Sequence, residues 1–199
     1  MAMRKILAPF FLMISTLVVR PVHAQVSYEI SPESTIQISG TSTLSDWVVK
    51  SRKVSGEMIF IASPKKSNEE GMQPGTIKDA KAVLEVSSIK SEKGETMDNK
   101  MYDALKNDAH PQIIFSLTQP IALTKAPGKL SVTGNIQLAG VTRPMTFDLN
   151  LGYANDAFHF AGTKSLKLSD FEIEPPTAMF GQIETGDAIV VEMNLFFTK

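Results

Sequence analysis

The sequence contains no cysteine. That excludes a disulfide framework, a thiolate nucleophile and any cysteine-ligated zinc or iron–sulfur cluster. Net charge is also nearly absent, with 20 basic against 21 acidic side chains. A nucleic-acid protein would carry a basic stripe, so that partner class is excluded. Tryptophan and tyrosine are scarce, one and three respectively, whereas an outer-membrane barrel needs two aromatic girdles. No apolar run reaches the ~20 residues of a membrane-spanning helix. There is neither a Gly-x-Ser-x-Gly elbow nor a glycine-rich phosphate loop. The lack of cysteine removes most enzyme classes with a cysteine signature, and no cofactor is expected.

What is present begins with an export-like segment. Arg4 and Lys5 precede an apolar stretch from Ile6 to Val19, and Val22-His23-Ala24 stands ahead of Gln25. Basic start, short apolar run and small residues at the cut are the order of a secretory signal peptide. Residues 1–24 are therefore expected to be removed by cleavage after Ala24, and 25–199 to form one domain, exported to a periplasm. Removing 24 of 199 residues leaves 175, with 17 basic and 21 acidic side chains. A chain of that size buries roughly 68–70% of its unfolded surface and needs no covalent staples.

Beyond residue 24 the dominant period is two. Leu130, Val132, Gly134, Ile136 and Leu138 alternate with polar residues, as do Met145, Phe147, Leu149, Leu151 and Tyr153. Ile189, Val191, Met193, Leu195 and Phe197 repeat the pattern near the carboxyl end. Strict alternation marks antiparallel strands with one buried face. Shorter runs of the same kind lie at 35–39, 47–50, 54–61, 77–86, 112–117 and 157–161. Ala139-Gly140, Asn155-Asp156 and Gly186-Asp187 supply turn chemistry between them. About eight strands at this spacing predict an all-β barrel or sandwich. Val132, Ile136, Phe147, Leu149 and Val191 are expected to face inward.

Two segments break the period. Residues 62–76 are rich in turn formers and charge and read as a mobile loop between neighbouring strands. From Glu95 to Lys106, Met97, Met101 and Leu105 recur every four residues with Tyr102 beside them. That is one short helix with a single apolar stripe, placed as a cap over one end of the sheet.

The polar residues offer little chemistry. His110 precedes Pro111 in a turn, and His159 alternates with Phe158 and Phe160. Neither has the spacing of a metal pair, and no metal site is expected. Asp170, Glu172 and Glu174 read as the solvated face of a strand whose other face carries Phe171 and Ile173. A hydrolase or isomerase using His110 with Asp108 or Asp170 is the least favoured reading, and no catalytic residue is assigned. The remaining resource is apolar volume, since an eight-stranded barrel either fills its interior or holds one small ligand.

Particular stretches then resemble the YceI-like family of secreted bacterial proteins, over essentially all of residues 26–199. Leu138-Ala139-Gly140-Val141-Thr142-Arg143-Pro144 is similar to its strand–turn–strand signature. Met101–Phe115 resembles its helix followed by a strand, and Leu166–Phe171 its late Ser-Asp-Phe element. Gly40–Trp47 and Pro175–Gly186 are similar to one branch, in which Ser45 is commonly histidine. The resemblance implies an extended, lipocalin-like, eight-stranded antiparallel barrel with a helix at one end. It also implies a periplasmic protein that binds a polyisoprenoid or other long amphiphilic lipid inside the barrel, without stable membrane insertion; a homodimer is left open. The candidate pocket residues are Trp47, Met101, Tyr102, Leu105, Phe115, Ile136, Phe147, Leu149, Phe171, Met179, Phe180, Val191 and Met193. The alternative is a solidly packed barrel serving as a structural or partner-binding module. Met179 and Phe180, in a loop framed by Pro175-Pro176 and Gly181, are expected either to plug one end of the core or to form the pocket mouth.

Overall fold

The computed structural model describes residues 25–63, 72–124 and 126–199. The expected leader at 1–24 and the centre of the 62–76 loop lie outside these described residues. The strands are β1 (Gln25–Ile30), β2 (Thr35–Ser42), β3 (Trp47–Ser51), β4 (Val54–Ala62), β5 (Gly75–Glu85) and β6 (Lys90–Ser91). Helix α1 (Glu95–Ala104) follows, then β7 (Gln112–Leu117), β8 (Ile121–Leu123), β9 (Gly128–Leu138) and β10 (Val141–Ala154). β11 (Ala157–Lys167), β12 (Thr177–Ala178) and β13 (Ile183–Thr198) complete the chain. β1, β6, β8 and β12 are too short or too weakly alternating to stand out in the sequence.

These strands form eight staves of one closed antiparallel barrel. β1 and β2 run in line along β13, and β3 and β4 run in line along β2 and β1. The ring continues through β5, the β7–β8 stave, β9, β10 and β11 back to β13. Each stave neighbours the next in sequence, which is an up-and-down barrel and leaves no free edge in the ring. The stave β1–β2 kinks at Ser31–Ser34. There the fully buried Ser34 accepts the Phe196 N–H through its Oγ at 2.9 Å, replacing the ladder bond the kink removes. Two tight turns use left-handed residues where the sequence marks them: Ala139-Gly140 joins β9 to β10, and Asn155-Asp156 joins β10 to β11.

The acidic row is a correction. Leu168–Phe171 is a 3-10 turn and Glu172 is left-handed at φ 56°, so residues 170–174 are not a strand. Phe171 and Ile173 are nevertheless buried. A chain reversal inserts them into the barrel end and produces the apparent period two.

The interior is divided along the barrel axis. One end is solid, packed with Tyr28, Phe60, Phe158, Phe160 and Phe197. Phe158 has no exposed surface, and its ring centre lies 5.0 Å from that of Tyr28, 5.3 Å from Phe60 and 4.8 Å from Tyr153. The other end, under α1, is hollow.

Candidate functional site: an apolar cavity under the helix

The hollow end is a cavity of about 210 Å³. Its walls come from every stave, because alternation directs one residue in two inward along each strand. Of the lining side chains only Trp47 and Thr185 carry a nitrogen or oxygen. Trp47 Nε1–H is already engaged, donating to the Thr41 carbonyl at 3.0 Å. A space so lined offers water no partners and suits an apolar occupant.

Nine of the thirteen expected pocket residues line it: Trp47, Met101, Leu105, Phe115, Ile136, Phe147, Leu149, Val191 and Met193. Phe115 and Phe147 meet edge to face with ring centres 5.8 Å apart. Four expected residues do not line it. Tyr102 packs against the core and places its hydroxyl 2.9 Å from the Ser87 carbonyl and 2.8 Å from that of Ile89. It therefore anchors α1 to the connection leaving β5. Phe171 is wholly buried in the core beside the cavity. Met179 and Phe180 are neither plug nor wall, since both are exposed at a hairpin tip.

Sequence reasoning missed several walls, among them Ile36, Ile38, Val54, Leu84 and Ile189. All belong to alternating runs, so the signal was present, but which half of each strand fronts empty space is not periodic. Lys164 is outside the lining and stands opposite Val191 in the β11–β13 register. The β10–β11 ladder ends at Asn150↔Ala161, and beyond it Lys164 Nζ donates across the seam to the Thr146 carbonyl at 2.8 Å.

The helix closes the roof because its Met97–Met101–Leu105 stripe turns into the cavity. Its inner end is held by Asp98, which is buried, accepts the Ser91 N–H at 2.7 Å and lies 3.3 Å from Lys90 Nζ. The Lys90 ammonium is held above its ordinary pKa, chiefly by its bond to Tyr102 and also by Asp98.

Trp47, Met101, Pro176 and Thr185 bring the end of the 42–47 turn, α1 and the hairpin formed by β12 and the start of β13 to the cavity wall, and this helix-side rim is called the mouth. Pro176 and Thr185 at the hairpin base line the cavity and are joined by Thr185 N–H donating to Pro176 O at 3.2 Å. Lys100 Nζ donates to Thr177 O at 3.2 Å, tying helix to hairpin. Thr43 N–H donates to Glu184 O at 3.0 Å, tying turn to hairpin. Ser45 accepts a hydrogen bond from Lys93 Nζ at 3.0 Å, a surface contact at the same rim.

The motif residues build this end of the barrel. His110 packs onto Gly140: a Cβ there would sit 2.6 Å from His110 Nε2, and φ is +87°. Arg143 Nε donates to the Asp170 carbonyl at 2.9 Å, and its guanidinium lies 3.6 Å from Glu172. Ser169 donates its N–H and hydroxyl to Asp187 at 2.8 and 2.7 Å, and those two bonds hold the Asp187 carboxyl below its usual pKa. His159 lies against Phe196 with ring centres 4.2 Å apart. Among the described residues no group of three or more acidic or histidine side chains is placed to hold a metal ion.

Comparison with known proteins agrees with this architecture. The barrel is similar to a polyisoprenoid binding domain from Saccharophagus degradans, with 14% identity, TM-score 0.65, and 86% of this chain and 97% of that one covered. It is similar to Burkholderia cenocepacia BcnA at 18% identity and TM-score 0.61, covering 84% and 98%. A YCEI protein of Campylobacter jejuni gives 18% identity and TM-score 0.56, covering 76% and 84%. At these identities the likeness is one of fold. A UPF0312 protein of Vibrio parahaemolyticus is 32% identical over 98 residues, which are 46% of this chain and 51% of that protein. The chain thus spans about half the length of the curated relatives it matches. The family model of the YceI-like domain matches residues 18–197, and the chain belongs to the YceI-like domain family.

Proposed function

We propose that the protein is an exported, non-catalytic carrier of a polyisoprenoid or similarly long amphiphilic lipid, acting in a periplasm after cleavage behind Ala24. The observation that carries the reading is the dry cavity, lined by side chains of which only two have a nitrogen or oxygen. Such walls match a linear hydrocarbon, which needs length and apolar contact more than placed donors. The aromatic floor around Phe158 stops the tail, so the polar end stays at the mouth near Thr185. The relative from Saccharophagus degradans, described as polyisoprenoid-binding, supports the same ligand class.

Mass spectrometry of an organic extract of the purified protein tests this. Stoichiometric lipid from a host rich in quinones and prenols is the expected result. An empty protein that also fails to take up a long-chain amphiphile would remove the carrier reading.

A further inference from the structure

The hairpin beside the mouth carries a feature that packing does not explain. Phe180 is fully exposed, at 111% of its reference surface, and Met179 is 64% exposed. Both are left-handed, with φ of 55° and 53°, and Gly181 continues the run at 87°. The turn is closed by Gly181 N–H donating to Ala178 O at 3.1 Å and Gln182 N–H donating to Met179 O at 3.2 Å. Left-handed positions favour Gly, Asn and Asp, and for a bulky side chain they are strained. The β10–β11 turn of this same protein follows the rule with Asn155-Asp156, and the β9–β10 turn sets Gly140 beside the small Ala139. The mouth hairpin instead presents two large apolar side chains where turn chemistry selects against them. Leu44, 73% exposed, stands beside Thr43, which is bonded to Gln182 and Glu184 of the hairpin. Three exposed apolar side chains are thus gathered at one rim, and exposed clusters of this kind mark contact surfaces.

From this we infer that Met179, Phe180 and Leu44 form a membrane-docking tip that inserts into the interfacial layer of a lipid bilayer and sets the cavity mouth against it. The occupant follows from continuity: the hairpin base, Pro176 and Thr185, is cavity wall, and its tip lies only two residue pairs further on. A bilayer is the surface from which an apolar cargo enters such a cavity, so the inference rests on the carrier reading. Charge selects the kind of bilayer. The exposed charges on the segments around the mouth are Asp46, Lys93, Glu95, Asp103, Glu174 and Glu184, together with the Lys50–Glu92 ion pair; Lys100 is half-buried beside Thr177. Acids outnumber lysines at this rim, which gives it no attraction to anionic lipid, so docking is driven by apolar insertion and proceeds on zwitterionic lipid with little dependence on salt.

The test compares the full expressed chain with the double variant Met179→Asn/Phe180→Gly. Asn-Gly is the favoured pair for such a turn, so the variant keeps the hairpin and its urea midpoint rises or stays level. Flotation with dioleoylphosphatidylcholine vesicles at low and high salt should show the unmodified protein bound at both. The double variant should lose at least about tenfold in partition, as expected for removing two large apolar side chains. Uptake of a dansyl-labelled eleven-carbon fatty acid in vesicle-free buffer should be unchanged, because neither residue lines the cavity. Equal vesicle binding by the two proteins overturns the tip. So does an unmodified protein that ignores vesicles, or one whose tip instead drives a concentration-dependent dimer lost in the variant. If vesicle binding falls as expected but neither protein takes up the fatty acid, the tip stands and the carrier reading fails.

Discussion

Replacing one phenylalanine by alanine at each end of the barrel should give two different costs. Phe158 has no exposed surface, and three aromatic rings lie with their centres 4.8–5.3 Å from its own. Phe158→Ala opens a new void in close-packed material and should cost about 3–5 kcal/mol. The upper half of that range is expected, since aromatic pairs add ~0.5–1.5 kcal/mol each beyond burial. Phe115 is only half-buried, with one side of its ring against Gly134 and the cavity beyond. Its removal enlarges a space that already exists. About half of the ~1.5–3 kcal/mol for full burial is at stake, so Phe115→Ala should cost about 1–2 kcal/mol. Urea melts of delipidated proteins at pH 7, with matched slopes, measure both. A saturating amphiphile extends the comparison, because binding at a hundredfold excess over Kd stabilises by about 2.7 kcal/mol. Phe158→Ala should retain that increment, and Phe115→Ala should lose much of it. Equal losses in the empty proteins would refute a barrel that is solid at one end and hollow at the other.

Three further outcomes follow from the same geometry. Leu149→Lys places an unpaired charge among apolar walls and should cost several kcal/mol, whereas Asn150→Lys on the outer face should stay within about ±0.5 kcal/mol; similar denaturant midpoints for the two would count against a dry interior. Gly140→Ala should cost about 1–2 kcal/mol for the left-handed backbone alone and more from the collision with His110; His110→Ala in the same background should recover the second part, read from a double-mutant cycle. Asp187 has a folded pKa below its unfolded one, so its contribution to stability is complete above the ordinary carboxylate range, near pH 4, and disappears as pH falls through the lower folded value. Asp187→Asn should therefore flatten that acid limb in thermal melts taken from pH 6 to pH 2, and an unchanged slope would deny the Ser169 contact its role.

Much of the fold was legible in the chain itself because period two is a local property. The alternation of Leu130–Leu138, Met145–Tyr153 and Ile189–Phe197 identifies strands and their buried faces without any knowledge of partners, and the four-residue spacing of Met97, Met101 and Leu105 identifies the helix and its inner stripe. Left-handed positions at Gly140 and Asn155-Asp156 are likewise written locally. The same local rule misread Asp170–Glu174, where a 3-10 turn and a left-handed Glu172 imitate alternation. It was equally silent on whether an inward residue meets a neighbour or empty space. Phe158 and Phe115 are both inward phenylalanines on strands. One is locked in a ring cluster assembled from β1, β4, β10 and β11, and the other fronts a cavity roofed by α1. That difference depends on how far each stave extends past its neighbours and where the helix lands, which is decided by contacts between residues distant in sequence. Met179 and Phe180 make the same point at the rim. Their apolar character is plain in the sequence, but their left-handed backbone and full exposure beside the mouth exist only once β12 has paired with β13.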